Sequence, residues 1–267
     1  PSFQGAIDPS TLLISRSERL PLTVSIVPAK LLLEAAEMGL HDSDKLPAAI
    51  VMPDVDVAKV ARKLFMGAFL NSGQVCIAAK RIYVHDAIYD AFAQAFAAAA
   101  RAAPMGPGTQ EGVMLGPVQN RPQYERVKEL IAATHAAGHR FLAGGEVPDG
   151  PGYFIPPAVV DNPPDDARVV VEEPFGPIVP LLRFSDVDEV VRRANDSEFG
   201  LGGSVWSNDL AQARAIGARL EVGTVWINSV HLLDPQSPFA GRKQSGVGVE
   251  NGIEGLLEFT TPQTMVG

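Results

Sequence analysis

"AAIVMPDVDVAKVARKLFMGAFLNSGQVCIAAKRIYV", residues 48–84, reads as strand, helix, loop and strand in one pass. "AAIVM" is a short continuous apolar run, the pattern of a strand buried on both faces. Asp54 or Asp56 is placed to cap the helix that follows, whose stripe is Val57, Val60, Ala61, Leu64 and Ala68 at three-and-four spacing. Asn71-Ser72-Gly73 must end that helix, because these residues favour turns over helix interiors. "RIYVH" then returns as a strand. Two apolar strands joined by a helix of this length predict a parallel pair with a crossover.

The same alternation continues towards the C-terminus. "DAIYDAFAQAFAAAARAA" carries Ile88, Phe92, Phe96 and Ala99 on one helical face, and Pro104 to Gly108 break it. "YERVKELIAATHAAG" is a further helix closed by Gly138. "HRFLAGG" and "GYFIPPAVV" read as strands, as do "IVPLLRF", "GGSVWS" and "TVWIN". "DVDEVVRRAND" and "DLAQARAIGARLEVG" are helices, the second capped by Asn208 or Asp209 and expected to stop at Gly223. The fold class expected is α/β, a largely parallel sheet flanked by helices. Residues 1–46 show no such order: a strand-like Leu22–Val27 and a helical piece from Lys30 to Met38 are all they suggest. Ligands in open sheets of this kind gather at the carboxyl ends of strands, which singles out the loops 71–76, 172–176, 228–231 and 239–248.

Composition narrows the classes of function. The 267 residues hold 22 basic and 31 acidic side chains, a formal charge of −9, without a basic cluster. That speaks against nucleic acid or an anionic membrane surface as partner. A hydrophobic fraction of 46% with no apolar run long enough to span a bilayer fits an ordinary globular chain. One cysteine makes no internal disulfide, and "PSFQGAIDPS" lacks the charge pattern of a signal peptide, so a cytoplasmic location is expected.

Several motifs are missing: no G-x-S-x-G elbow, no G-x-G-x-x-G and no P-loop. His135 and His139 are four apart but lack a glutamate and a third ligand, so no metal site is expected. The adjacent Glu172 and Glu173 point different ways on any regular element and make a poor acid/base pair. What is left is the lone thiol. "CIAAKR" could open a helical turn at Cys76 with Lys80 and Arg81 nearby, the setting that favours a thiolate. A buried, unreactive thiol fits the same residues.

At these residues the sequence resembles the aldehyde dehydrogenase superfamily. The stretch 48–84 is similar to the family's segment around its catalytic cysteine, which falls on Cys76. "EEPFGPIVPLLRFSDVDEVVRRANDSEFGLGGSVWS" is similar to a second signature, whose nicotinamide-ribose contacts fall on Glu173 and Phe175. "GTVWINS" and "SPFAGRKQSGVGVENGIEGLLEFT" resemble the family's last motif, with Ala240 where glycine is usual and Val249 where arginine is common. The resemblance implies oxidation of an aldehyde to an acid with NAD or NADP, through a cysteine thiohemiacetal and a thioester. It implies three segments: 1–46 as a remnant or divergent N-terminal piece, 47–257 as the catalytic domain and 258–267 as a strand pairing between subunits. A homo-oligomer, at least a dimer, follows from that strand.

The family's general base should lie a few residues before "AAIV". An alignment on "EMGL" places it at Glu37, ungapped counting places Asp42 there, and a third alignment leaves Ser25. Glu37 is the assignment carried forward. Phe239 is expected either to wall the substrate tunnel or to be a plain core phenylalanine. Most of the family's cofactor-binding half has no counterpart in these residues, so turnover by this chain alone needs that half from elsewhere. A cofactor-independent thiol esterase and a non-catalytic assembly partner are the alternatives.

Overall fold

The computed structural model describes residues 46–266 and, as backbone, the strands Thr11–Ser15 (β1) and Pro21–Ser25 (β2). The helix expected over Lys30–Met38 lies outside the described residues. β1 and β2 pair antiparallel.

From Leu46 the alternation read from the sequence holds. Ala48–Val51 (β3), Val57–Phe69 (α1) and Arg81–His85 (β4) form the first crossover, with Ala48 opposite Arg81 in a parallel pair. Tyr89–Ala102 (α2), Arg121–Ala136 (α3), Phe141–Ala143 (β5) and Ala158–Asp161 (β6) follow. Then come Arg168–Val171 (α4), Ile178–Phe184 (β7), Val187–Asn195 (α5), Phe199–Gly200 (β8) and Gly202–Trp206 (β9). Leu210–Gly217 (α6) and Thr224–Ile227 (β10) complete the main sheet, whose strand order is β10-β9-β3-β4-β7-β6-β5. Every pairing in it is parallel except β5 with β6 at one edge.

Period-two alternation divides the core between two faces. Ala49, Val51, Ile82, Val84, Val179 and Leu181 face α1 and α2, where Leu64, Phe65, Phe92 and Phe96 fill the layer. Ala48, Ile50, Tyr83, Val160, Ile178 and Leu182 face α3, α5 and α6. Both faces are covered, which is why the strands read as unbroken apolar runs.

The caps were partly legible. Asp56, not Asp54, caps α1 by accepting from the Lys59 N–H at 3.0 Å. Asp54 instead accepts from Ser207 Oγ at 2.9 Å and from the Asp209 N–H at 3.0 Å, tying β3 to β9. Asp209 caps α6. That helix stops at Gly217 rather than Gly223, because a turn closed by Leu220 N–H on the Gly217 carbonyl buries Leu220 and aims the chain into β10.

The chain divides into two units. The larger runs from Asp44 to Leu232 and includes Gly241–Ser245, whose Arg242–Lys243 strand (β12) pairs with β8. The smaller contains Leu233–Ala240 and the segment from Gly246. In it Phe239–Ala240 (β11) pairs antiparallel with Val249–Glu250 (β13), and Gly252–Glu258 (α7) follows. Residues 260–266 form no strand within this single chain.

Candidate active site

The cysteine loop begins where α1 ends at Phe69. Asn71 (φ 51, ψ 38), Ser72 (φ 56, ψ 35) and Gly73 (φ 73) are three successive left-handed residues. For Asn71 and Ser72 this conformation costs about 1–2 kcal/mol each, so the surroundings must hold it. Ser72 Oγ donates to the Gly116 carbonyl at 2.7 Å, and Gln74 Nε2 donates to the Asn71 carbonyl at 3.0 Å. Gln74 Oε1 accepts from the Gln119 N–H at 2.8 Å, and the buried Lys80 ammonium donates to the Gly73 carbonyl.

Cys76 is half-buried in a single turn closed by Ala78 N–H on the Val75 carbonyl at 3.0 Å. The turn does not continue into a helix, so the expected helix-start setting for the thiol is absent. Arg81 is also not a partner of this loop. Its guanidinium donates to the Leu46 and Ala194 carbonyls at 3.1 and 3.0 Å, fastening β4 to the last turn of α5 and to the chain just before β3.

The second predicted loop lies directly against the first. A Cβ at Gly73 would overlap the Gly176 carbonyl oxygen, so only glycine allows this approach. Glu172 and Glu173 diverge as expected: Glu172 pairs with Arg168 at 2.5 Å on the surface, while Glu173 is buried. Phe175 is left-handed at φ 39 and half-buried. α3 holds this loop through Gln123 Nε2, which donates to the Pro174 and Phe175 carbonyls at 2.7 and 3.2 Å. Arg126 donates to the Glu173 carbonyl at 3.1 Å.

Both loops precede their strands, β4 and β7, so Cys76, Glu173 and Phe175 lie on loops at the amino ends of the parallel strands. This corrects the carboxyl-end expectation. The site is set by the approach of two strained turns, not by the fan of loops at a switch point. Asn228–His231 does leave the carboxyl end of β10, but it crosses to α1, where Val230 packs on Gly67. The His231 ring is held below its usual range by burial, against the opposing effect of the Ile77 and Gly67 backbones, and Lys80 adds to the lowering.

Lys80 is near the thiol loop as the sequence suggested, but its burial was not foreseen. It is 1% exposed, and burial draws it down to about 8, with Glu173 pulling the other way. Gln123 and Arg126 were not anticipated; no short-range motif signals a side chain that acts from another helix. Glu37 and Asp42 lie outside the described residues. Phe239 belongs to the smaller unit, half-buried in β11. Among the described residues no three His, Cys, Asp or Glu side chains gather to hold a metal, and His135 bonds to the Gly145 carbonyl at 2.9 Å.

A helix-covered, almost wholly parallel sheet, with the loop that carries the lone thiol packed through Gly73 against Gly176 of the loop that carries Glu173, defines an α/β domain with a thiol-bearing loop. The chain belongs to the aldehyde dehydrogenase family, whose model matches residues 45–265. It is 39% identical over 219 residues to phenylacetaldehyde dehydrogenase of Pseudomonas fluorescens, covering 81% of this chain and 44% of that protein. Retinal dehydrogenase 2 of Homo sapiens is 36% identical over 258 residues, covering 93% and 49%. Among solved structures, an aldehyde dehydrogenase of Mycobacterium tuberculosis complexed with NAD+ is similar at a TM-score of 0.79 and 34% identity. That match covers 82% of this chain and 46% of the other. The chain spans about half the length of the curated relatives it matches.

Proposed function

We propose that this chain carries the thiol chemistry of an NAD- or NADP-dependent oxidation of an aldehyde to a carboxylic acid. The supporting observation is that the only cysteine lies three residues after Gly73, where its loop touches Gly176, the residue after Glu173–Phe175.

The Sγ thiolate of Cys76 would add to the carbonyl carbon, forming a C–S bond and leaving charge on the carbonyl oxygen. The Cys76 backbone N–H would donate to that oxygen, a contact worth about 3 kcal/mol when well aimed. NAD(P), when bound, supplies the two-electron acceptor that turns the thiohemiacetal into a thioester. The donor set fits its nicotinamide end. The Glu173 carboxylate is an acceptor suited to ribose hydroxyls, and the part-exposed Phe175 ring offers an apolar face. Glu37 would take a proton from the water that cleaves the thioester, releasing the acid and restoring the thiol.

Segment 47–257 is the catalytic domain in this proposal, and 258–267 is a strand that forms only on pairing with a second subunit. A homo-oligomer and a cytoplasmic location belong to the same reading; no helix among the described residues is long and apolar enough to cross a membrane.

The test is NADH and NADPH formation by the purified chain on short, long and aromatic aldehydes, with Cys76→Ser and Glu37→Gln alongside. Turnover that disappears in Cys76→Ser is expected, with Glu37→Gln slowed at thioester hydrolysis. Hydrolysis of p-nitrophenyl acetate without any aldehyde oxidation would replace this proposal with a thiol esterase.

A further inference from the structure

Lys80 carries a charge into a place where an ammonium is costly unless it is paired. It is 1% exposed, and its Nζ donates to the carbonyl of Gly73, three residues before the thiol. The opposite charge acting on it is Glu173, three residues before Gly176. Gly73 and Gly176 are the two residues at which the loops touch. One side chain therefore engages both loops beside their point of contact. The Glu173 loop is itself fixed by Gln123 and Arg126 of α3. No comparable helix side chain grips Gly73 among the described residues; its carbonyl is held by Lys80.

We propose that Lys80 is a positioning residue: its buried ammonium, bonded to the Gly73 carbonyl and facing the Glu173 carboxylate, couples the thiol loop to the cofactor-side loop. A change at Glu173 is then transmitted to Cys76 through Lys80. Lys80 in turn acts on His231, which arrives from the segment after β10 and bonds the Ile77 and Gly67 backbones. The name "cofactor-side" rests on the aldehyde dehydrogenase reading, but the coupling is a property of the chain and is measured without aldehyde or NAD(P).

Because the chain has one cysteine, iodoacetamide labels Cys76 alone, and its rate reports the thiol's setting. The rate is measured in the full chain for wild type, Lys80→Met, Glu173→Gln and the double variant, each checked for its fold by circular dichroism. Glu173→Gln is expected to change the alkylation rate by about threefold or more in the wild-type background and to have no further effect once Lys80 is Met. Equal effects of Glu173→Gln in both backgrounds, or none in either, overturn the proposal. If Lys80→Met does not fold, lysine 13Cε NMR of wild type and Glu173→Gln reads the same coupling. The Lys80 titration midpoint should fall in Glu173→Gln, and an unmoved midpoint overturns the proposal. Coupling without dehydrogenase turnover would leave Lys80's role standing and sink only the functional reading.

Discussion

At the scale of the residue, the cysteine loop is held in a conformation that its own sequence does not favour. Gly73 is left-handed and has the Gly176 carbonyl where a side chain would start, so Gly73→Ala meets both backbone strain and overlap. A loss of about 1–3 kcal/mol is expected in urea unfolding, together with a changed Cys76 alkylation rate; a variant matching wild type in both would show that the loops are not in contact. Lys80 gives a pH signature. Its folded value, about 8, lies below the unfolded 10.5, so the unfolded chain binds more protons between these values. Wild type should therefore gain stability relative to Lys80→Met as pH rises from 8 to 10.5, and the difference should be flat below 8. Cys76 and Glu173 were legible because a lone thiol and a carboxylate stand out by residue type within motifs. Lys80 was legible as a charge beside the thiol but not as a buried one, because lysine is almost always a surface residue and only its neighbours reveal the exception.

At the scale of the element, helices and strands follow from periodicity, and their ends follow from packing. The α1 stripe read from the sequence is the buried stripe, with Leu64 and Ala61 at 0% exposure. Leu64 is enclosed by the core layer between α1, α2 and the sheet, so Leu64→Ala should cost about 2–5 kcal/mol by urea unfolding. A cost under 1 kcal/mol would mean that this layer is loosely packed. The early stop of α6 was hidden because nothing in "AIGARLEVG" says that Leu220 must turn inward. The two-residue strands β8 and β12 have no periodic signal at all; they exist because Phe199–Gly200 and Arg242–Lys243 meet from distant parts of the chain.

At the scale of the molecule, the terminal segment is the open part. Residues 260–266 form no ladder within one chain, and the exposed side chains of Met265 and Val266 have no cover there. A strand that pairs between subunits has this form when alone. Removal of residues 258–267 is expected to shift the chain towards monomer in sedimentation equilibrium, while its circular dichroism is kept. An unchanged oligomeric state would assign assembly to another surface.

What the sequence by itself determined is the parallel α/β order, the buried stripes and the identity of the thiol. These depend on spacing along the chain and on residue type, which are local properties. The tertiary structure decided that the loops carrying the thiol and Glu173 touch at the amino ends of the strands, that Arg81 turns away and that Lys80 is buried against the Gly73 carbonyl. Those outcomes depend on which distant surfaces come together, as when Arg81 reaches carbonyls 35 and 113 residues away, and on burial, which alone makes an ordinary lysine an internal charge.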